Sequence, residues 1–279
     1  MTQIEKGRRF RALHDGPGTF VIPNPWDAGT ARMLAALGFQ ALATTSAGFA
    51  FTLGRRDGER LVTRDEALAH ARAIVEATDL PVSADLENGF GDDPGTVAET
   101  IRLAAATGLV GGSIEDATGD ARRPIYDQAH AVERVAAAVE AARSLPFPFL
   151  LVARAENFLH DRPDLDDTLL RLNAYAAAGA DVLYAPALPD LDAIRTVCAA
   201  VAPRPVNALA GRKGDGLTVA NLAAAGVRRI STGSALSRAA LGAFLRAARE
   251  MKDDGTFTYG DEAASFAELN RFMGTGRGR

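Results

Sequence analysis

The sequence predicts a (β/α)8 barrel, and three observations carry that expectation. Eight short apolar stretches recur along the chain, separated by Ala-rich stretches whose apolar residues keep helical spacing. The connections are mostly short, and no shift of composition marks a second domain within the 279 residues. A barrel of this kind takes about 250 residues. An open, doubly wound parallel sheet is the alternative that the same alternation allows.

The expected strands are 19–25 (TFVIPNP), 39–46 (FQALATTS), 80–86 (LPVSADL), 111–115 (GGSIE), 149–155 (FLLVARA), 181–186 (DVLYAP), 205–210 (PVNALA) and 228–232 (RRIST). Helix starts are legible between them. Thr63-Arg-Asp-Glu66 fits a capping box, and Asp93-Pro94 fits an N-cap followed by proline in the first turn. Gly108, Gly179 and Gly226 fall where helices should stop before the next strand. Two connections exceed a plain turn, 47–62 after the second strand and 117–127 after the fourth. In a barrel such loops surround the active site and often act as lids. The barrel is expected to occupy 1–255. Residues 256–279 are expected to add a C-terminal helix, packing against another subunit, and a frayed end from Gly274 to Arg279.

Composition excludes several classes. With 31 basic against 35 acidic residues, the net charge of −4 suggests neither a nucleic-acid nor a membrane partner. No signal-peptide core opens the chain, and no apolar run approaches the ~20 residues of a bilayer span. A soluble, cytoplasmic protein is the expectation. One cysteine, Cys198, permits no intrachain disulfide and no cysteine-rich metal site. It lies in an expected helix, as a small buried hydrophobe would. The lysines are Lys6, Lys213 and Lys252, and only Lys213 is near an expected rim, which disfavours Schiff-base chemistry. His14, His70, His130 and His160 form no cluster with ligand spacing.

Acidic residues close three successive strands: Asp85-Leu86-Glu87, Glu115-Asp116, and Glu156 beside Arg154. Carboxylates are depleted in sheet interiors, and burying one without a partner is costly. Asp85 and Glu87 are one residue apart, so their side chains point the same way on an extended strand. With Glu115 they offer the oxygen ligands that a hard divalent cation prefers. Helix capping or rim ion pairing is the plainer role for each taken alone. Arg154 is a natural fork for a substrate carboxylate or an internal partner of Glu115 or Glu156, and the two roles are compatible. Thr44-Thr45-Ser46-Ala47-Gly48 ends the second strand and offers backbone N–H groups and the Ser46 hydroxyl to an oxyanion. Asp57, in a polar Gly-containing loop, reads as an ordinary surface turn. A rival site lies at Gly211-Arg-Lys-Gly-Asp-Gly216 and Thr232-Gly-Ser234, where many barrels bind phosphate.

The stretches PNPWDAGTARMLAALGFQALATTSAG, SADLENGFGD, GSIED, VARAE and GVRRISTGSALSRAA, in this order, resemble the isocitrate lyase/phosphoenolpyruvate mutase superfamily. The resemblance implies a (β/α)8 TIM barrel, often with the last helix exchanged between subunits of a homodimer or homotetramer. It implies Mg²⁺-dependent handling, with Mn²⁺ as the alternative ion, of 2-oxo or 2-hydroxy carboxylic acids through an enolate-like species. By position, Asp85, Glu87 and Glu115 look like the metal site, with Glu87 where an Asp is common. Thr45, Ser46, Ala47, Gly48 and Arg154 look like carboxylate and oxyanion binders, and Asn207 is a further substrate contact. Asp57 aligns with a loop acid of functional importance, which displaces the surface-turn reading.

The departures narrow the activity. The superfamily's isocitrate and methylisocitrate lyases carry a Lys/Arg-Cys-Gly-His stretch on the gating loop, where this chain reads Ala117-Thr-Gly-Asp-Ala-Arg-Arg-Pro124. The Lys and Asn that phosphoenolpyruvate mutase and phosphonopyruvate hydrolase use there are also absent. What remains resembles the branch of oxaloacetate decarboxylases and related C–C lyases. The expectation is a metal-dependent C–C lyase in which Asp57, Arg154 and Ser46 act at the reacting end. The alternatives are P–C chemistry of the mutase type and a non-catalytic barrel that retains ligand binding.

Overall fold

The computed structural model describes residues 1–274; the end of the chain after Gly274, where fraying was expected, lies outside the described residues. All eight expected strands form: β1 (Phe20–Ile22), β2 (Leu42–Ala43), β3 (Val82–Asp85), β4 (Gly111–Glu115), β5 (Leu150–Arg154), β6 (Val182–Tyr184), β7 (Val206–Leu209) and β8 (Arg229–Ser231). They pair in parallel in the order β1-β8-β7-β6-β5-β4-β3-β2. The seam between β1 and β2 is bridged by Ala43 N–H donating to the Pro23 carbonyl at 3.1 Å. The Asn24 amide donates across the same seam to the Thr44 carbonyl at 2.8 Å. This is the (β/α)8 barrel.

The helices are α1 (Gln3–Asp15), α2 (Ala28–Ala36), α3 (Ser46–Thr52), α4 (Arg64–Glu76), α5 (Pro94–Ala105), α6 (Gln128–Arg143), α7 (Leu165–Ala178), α8 (Leu191–Ala200), α9 (Val219–Ala224), α10 (Ala235–Arg249) and α11 (Phe266–Met273). Their starts follow the local chemistry. Thr63 and Glu66 close the capping box of α4 through bonds of 3.3 and 2.9 Å. Asp93 caps α5 by accepting from Gly95 and Thr96. Gly179 terminates α7 at φ 103°, where a side chain would be strained.

The connection 47–62 differs from expectation. Its first half is α3, because Thr45 accepts from the Gly48 N–H and nucleates a turn immediately after β2. The connection 117–127 is also ordered. An isolated bridge joins Ala117 to Ile125, and the Thr118 N–H donates to the Pro124 carbonyl at 2.8 Å. The two segments touch at Gly119, whose φ of 74° turns the chain where a Cβ would stand 2.6 Å from Arg60 Nε.

The N-terminal end of the barrel is closed by α1. Phe10 is fully buried among Phe20, Ile22, Ala41, Ala43, Val110 and Leu150. A side chain at Gly111 would come within 2.9 Å of the Phe10 ring, so the glycine makes room for the plug. His14 continues it, packed edge-on between Phe10 and Phe20. Its Nδ1 meets the Phe10 carbonyl at 2.8 Å and so carries the proton, and the buried Nε2 has no partner among the described residues. Burial, aided by the Arg229 charge, lowers the His14 pKa to about 3 from an ordinary 6.5. The unfolded chain therefore binds a proton below pH 6.5 that the native state refuses. Stability is complete above that pH and is expected to fall by ~1.4 kcal/mol per pH unit as pH drops towards the folded value. Urea unfolding at pH 7, 6, 5 and 4 checks this, with His14→Phe expected to lack that component of the slope.

The C-terminal elements are much less covered. Phe244, Phe257 and Phe266 are 66%, 69% and 89% exposed. In this chain α11 rests on α2, with Arg32 Nη1 donating to the Met273 carbonyl at 2.7 Å. Among the described residues no helix is long and apolar enough to cross a membrane.

Candidate active site

The C-terminal ends of β3, β4 and β5 converge on one guanidinium. Arg154 ends β5, and its head pairs with Asp85 at 3.0 Å, Glu115 at 3.2 Å and Glu156 at 2.7 Å. The register sets this up: Glu115 and Arg154 are Cα partners across β4 and β5, and Asp85 pairs with Ser113 one step away. Arg154 also lies over the Tyr184 ring, with its guanidinium carbon 5.2 Å from the centroid. Burial alone would lower its pKa, but Glu156, Glu115 and Asp85 together hold it well above the usual value.

Asp85 is the most fully engaged acid. One oxygen accepts from the Ser46 N–H at 3.2 Å and from its hydroxyl at 2.8 Å. The other meets Arg154 and the Glu87 N–H, the latter at 3.4 Å. The Ser46 donors expected to face an oxyanion are thus turned to Asp85, because α3 begins at Ser46 and aims its first N–H at β3. Thr45 caps that helix and is itself buried. Ala47 and Gly48 follow in its first turn, where N–H groups have no partner within the helix.

The acids crowd. Ser46, Asp57, Glu87, Glu115, Arg154 and Glu156 wall a single cavity of about 260 Å³. Burial, then Asp85 and Asp57, pushes the Glu87 carboxyl up to about 7. Burial raises Glu115 well above the carboxylate range against the pull of Arg154. Burial and then Asp85 raise Asp57 as well. Glu87 sits at φ 48°, a left-handed conformation that costs roughly 1–3 kcal/mol and so calls for a compensating role. Asp57, in the segment after α3, thus stands beside the rim acids and not on an outer turn.

Other sequence candidates separate. Asp116, adjacent to Glu115, points away into a buried network with Arg171 at 3.0 Å, the Tyr175 hydroxyl at 2.6 Å and the Glu156 N–H at 2.8 Å. It fixes the rim from beneath. The phosphate-type loop is already filled by protein acceptors: Asp215 takes the Gly211 and Arg212 N–H groups, both at 2.9 Å. Asn24 takes those of Thr232 and Gly233 at the same distance. Cys198 is buried in α8, and its thiol is pushed up to about 11 by burial. His70 stacks on Phe49 at 3.9 Å and bonds to the Trp26 carbonyl.

A second cavity of about 420 Å³ shares Ser46, Asp57 and Arg154 with the first and descends into the barrel past Tyr184, Asn207 and Arg229. Asn207 donates to the Ser231 hydroxyl at 2.9 Å, which places it below the rim. The sequence reading missed Asn24, Tyr184, Arg229 and His160, the last of which walls the upper cavity. Pro23-Asn-Pro25 was a usable signal for Asn24, because a polar residue between prolines at a strand end seldom serves the sheet.

The model for the phosphoenolpyruvate phosphomutase family matches residues 10–252, the whole of the barrel with its acidic rim. The chain belongs to this family. A solved chain from Burkholderia cenocepacia J2315, provisionally a lyase/mutase, is 60% identical, with a TM-score of 0.94 over 98% of this chain and 97% of that one. The 2-methylisocitrate lyase of Escherichia coli K12 is 31% identical over 72% of this chain and 69% of its own. A solved 2,3-dimethylmalate lyase, described as a member of the phosphoenolpyruvate mutase/isocitrate lyase superfamily, is 27% identical, with a TM-score of 0.86 over 99% and 96% of the two chains. The expected superfamily is therefore the right one, and its named relatives are enzymes acting on small carboxylic acids.

Proposed function

We propose that this family member is a Mg²⁺-dependent lyase that cleaves a C–C bond beside the carbonyl or hydroxyl of a small 2-oxo or 2-hydroxy acid. The observation that carries the reading is the gathering of Asp57, Asp85, Glu87 and Glu115 around Arg154 at the C-terminal mouth of the barrel. With Glu156 the acids number five, against Arg154 and an Arg60 already paired with Asp92, an arrangement that a cation stabilises.

Among the described residues no three His, Cys, Asp or Glu groups stand ready to ligate an ion directly. Arg154 and Ser46 occupy the oxygens of Asp85, and Arg154 takes one of Glu115. The set is nevertheless all oxygen, and Mg²⁺ usually keeps several waters between itself and carboxyl groups. It fits an ion held mostly through water by Asp85, Glu87 and Glu115, with Mn²⁺ as the alternative. Bound there, the ion would supply Lewis-acid polarisation of the substrate's 2-oxygen.

The chain's own residues account for the rest. Arg154 meets a carboxylate with the one N–H that Nη1 and Nη2 each keep beyond Asp85 and Glu115, and offsets negative charge as the bond breaks. Ser46 holds Asp85 in place, and the Ala47 N–H at the start of α3 is presented to the substrate carboxylate, the Gly48 N–H being taken by the Thr45 cap. Asp57 orients the substrate or relays a proton, and Asn207 contacts the substrate below. The segments 47–62 and 117–127, in contact at Gly119, exclude bulk solvent but not the single water that protonation requires. The latter carries neither Cys nor His, so the new carbanion takes its proton from water and not from a thiol.

A panel of oxaloacetate, 2,3-dimethylmalate, 2-methylisocitrate and phosphonopyruvate, with products identified, tests this reading. Turnover of a carboxylic acid with C–C scission is expected. Release of phosphate from phosphonopyruvate alone would establish P–C chemistry instead, and Mg²⁺ binding without any turnover would leave a binding protein. The same reading assigns a homodimer or homotetramer that covers the apolar band of Phe244, Phe257 and Phe266. Light scattering should give a mass of two or four chains, and Phe244→Asp with Phe266→Asp should lower it.

A further inference from the structure

Arg229, on β8, is a buried arginine that lines the lower cavity. The side chain is 5% exposed. Among the described residues no acceptor meets its buried Nε and Nη1. Burial lowers its pKa to about 10, which leaves it cationic at neutral pH, and no carboxylate opposes that shift; Tyr184 is the group that does. The Phe10 ring below it, with its centroid 6.0 Å from the guanidinium carbon, is a weak substitute for an anion. An uncompensated buried charge costs several kcal/mol. Arg154, by contrast, is satisfied three times over at the rim.

The surroundings of Arg229 are polar where a barrel interior is ordinarily packed with branched apolar side chains. Asn207 is its Cα partner on β7, is 2% exposed, and has an Oδ1 that meets no donor among the described residues. Ser231 lies two residues on, on the same face of β8. Both face the cavity that Arg154 and Asp85 wall from above. Unsatisfied donors and an unsatisfied acceptor at the floor of a substrate cavity call for a ligand that carries both kinds of group.

We infer that Arg229 anchors a second anion subsite inside the barrel, which takes the distal carboxylate of a dicarboxylic 2-oxo or 2-hydroxy acid whose reacting end lies at Arg154. The inference rests on the proposed function and adds to it a specificity residue, Arg229, as the group that selects diacids over monoacids. Charge-assisted pairing to a buried guanidinium accounts for the preference. Asn207 Oδ1 accepts from a substrate hydroxyl or from a water that accompanies it.

Calorimetric binding in the presence of Mg²⁺ tests this without turnover, using two matched pairs: malate against 2-hydroxybutyrate, and 2-oxoglutarate against 2-oxopentanoate. The wild-type protein should bind the diacid of at least one pair about tenfold or more tightly than its monoacid, the order of one charge-assisted contact. Arg229→Met should abolish that preference and leave the monoacid affinities within about twofold, and Arg229→Lys should keep part of it. Thermal melts control for folding: Arg229→Met, which removes an unpaired buried charge, should melt no lower than wild type. Equal diacid preference in wild type and Arg229→Met overturns the subsite. So does chloride, titrated alone, stabilising wild type but not Arg229→Met while diacids show no preference, since the site would then hold an inorganic ion. Monoacid binding without diacid preference removes only this inference; no binding by any of the four acids removes the proposed function with it.

Discussion

Replacing Arg154 by methionine is expected to abolish turnover and to destabilise the fold together. The side chain is 12% exposed and compensates Asp85, Glu115 and Glu156, the last only 2% exposed. Removing one partner of a buried ion pair typically costs ~3–5 kcal/mol, because the remaining charge has nowhere to go. Part of that cost is avoided here, since Glu115 already has a raised pKa and can take up a proton. Urea unfolding measures the stability, and turnover is normalised to folded protein. A second substitution separates the two effects. Glu156→Gln in the Arg154→Met background should recover part of the stability and none of the activity. If activity returned with stability, Arg154 would be a structural strut and the assigned carboxylate fork would be wrong. Arg154→Lys should keep the fold and lose about 10²–10³-fold in turnover, as a point charge cannot replace the planar fork.

Asp85→Asn is the second large effect. The amide keeps an oxygen for the Ser46 N–H and hydroxyl, so α3 should stay in place and the protein should remain folded. It loses the negative charge at the centre of the rim. The expected result is weakened Mg²⁺ affinity by calorimetry and a fall in turnover of about 10²–10³-fold. Unchanged metal affinity with unchanged turnover would show that the ion, if one binds, sits elsewhere.

The fold was legible because its signals are local. Capping at Thr63 and Asp93, stop glycines such as Gly179, and eight apolar runs each announce themselves within a few residues. What failed was equally local in cause. The segment after β2 looks like a polar loop from Arg55 onward, and nothing in Ser46-Ala-Gly-Phe-Ala-Phe-Thr52 advertises a helix except the Thr45 cap.

The acidic rim was legible for a different reason: carboxylates at successive strand ends are costly unless they are used. Partner choice was not. That Ser46 gives its donors to Asp85 and that Arg154 ties three acids depends on register between strands, which no short motif encodes. Glu115 and Asp116 read as a single cluster, yet neighbouring residues on a strand point to opposite faces, and Asp116 joins Arg171 and Tyr175 behind the barrel wall. Arg229 was hidden by the same alternation. Arg228-Arg229 opens β8 like a solvated edge; Arg228 does bond outward to the Gly18 carbonyl, while Arg229 turns into the barrel.

The most direct test of the central claim is pyruvate release from oxaloacetate by the purified protein, with Mg²⁺ and with EDTA, corrected for decarboxylation by the metal alone. Protein-dependent pyruvate that EDTA abolishes and Mg²⁺ restores is the predicted result. Release that EDTA leaves untouched would contradict the metal's role, and no release above the metal's own background would remove oxaloacetate decarboxylation as the activity of this barrel.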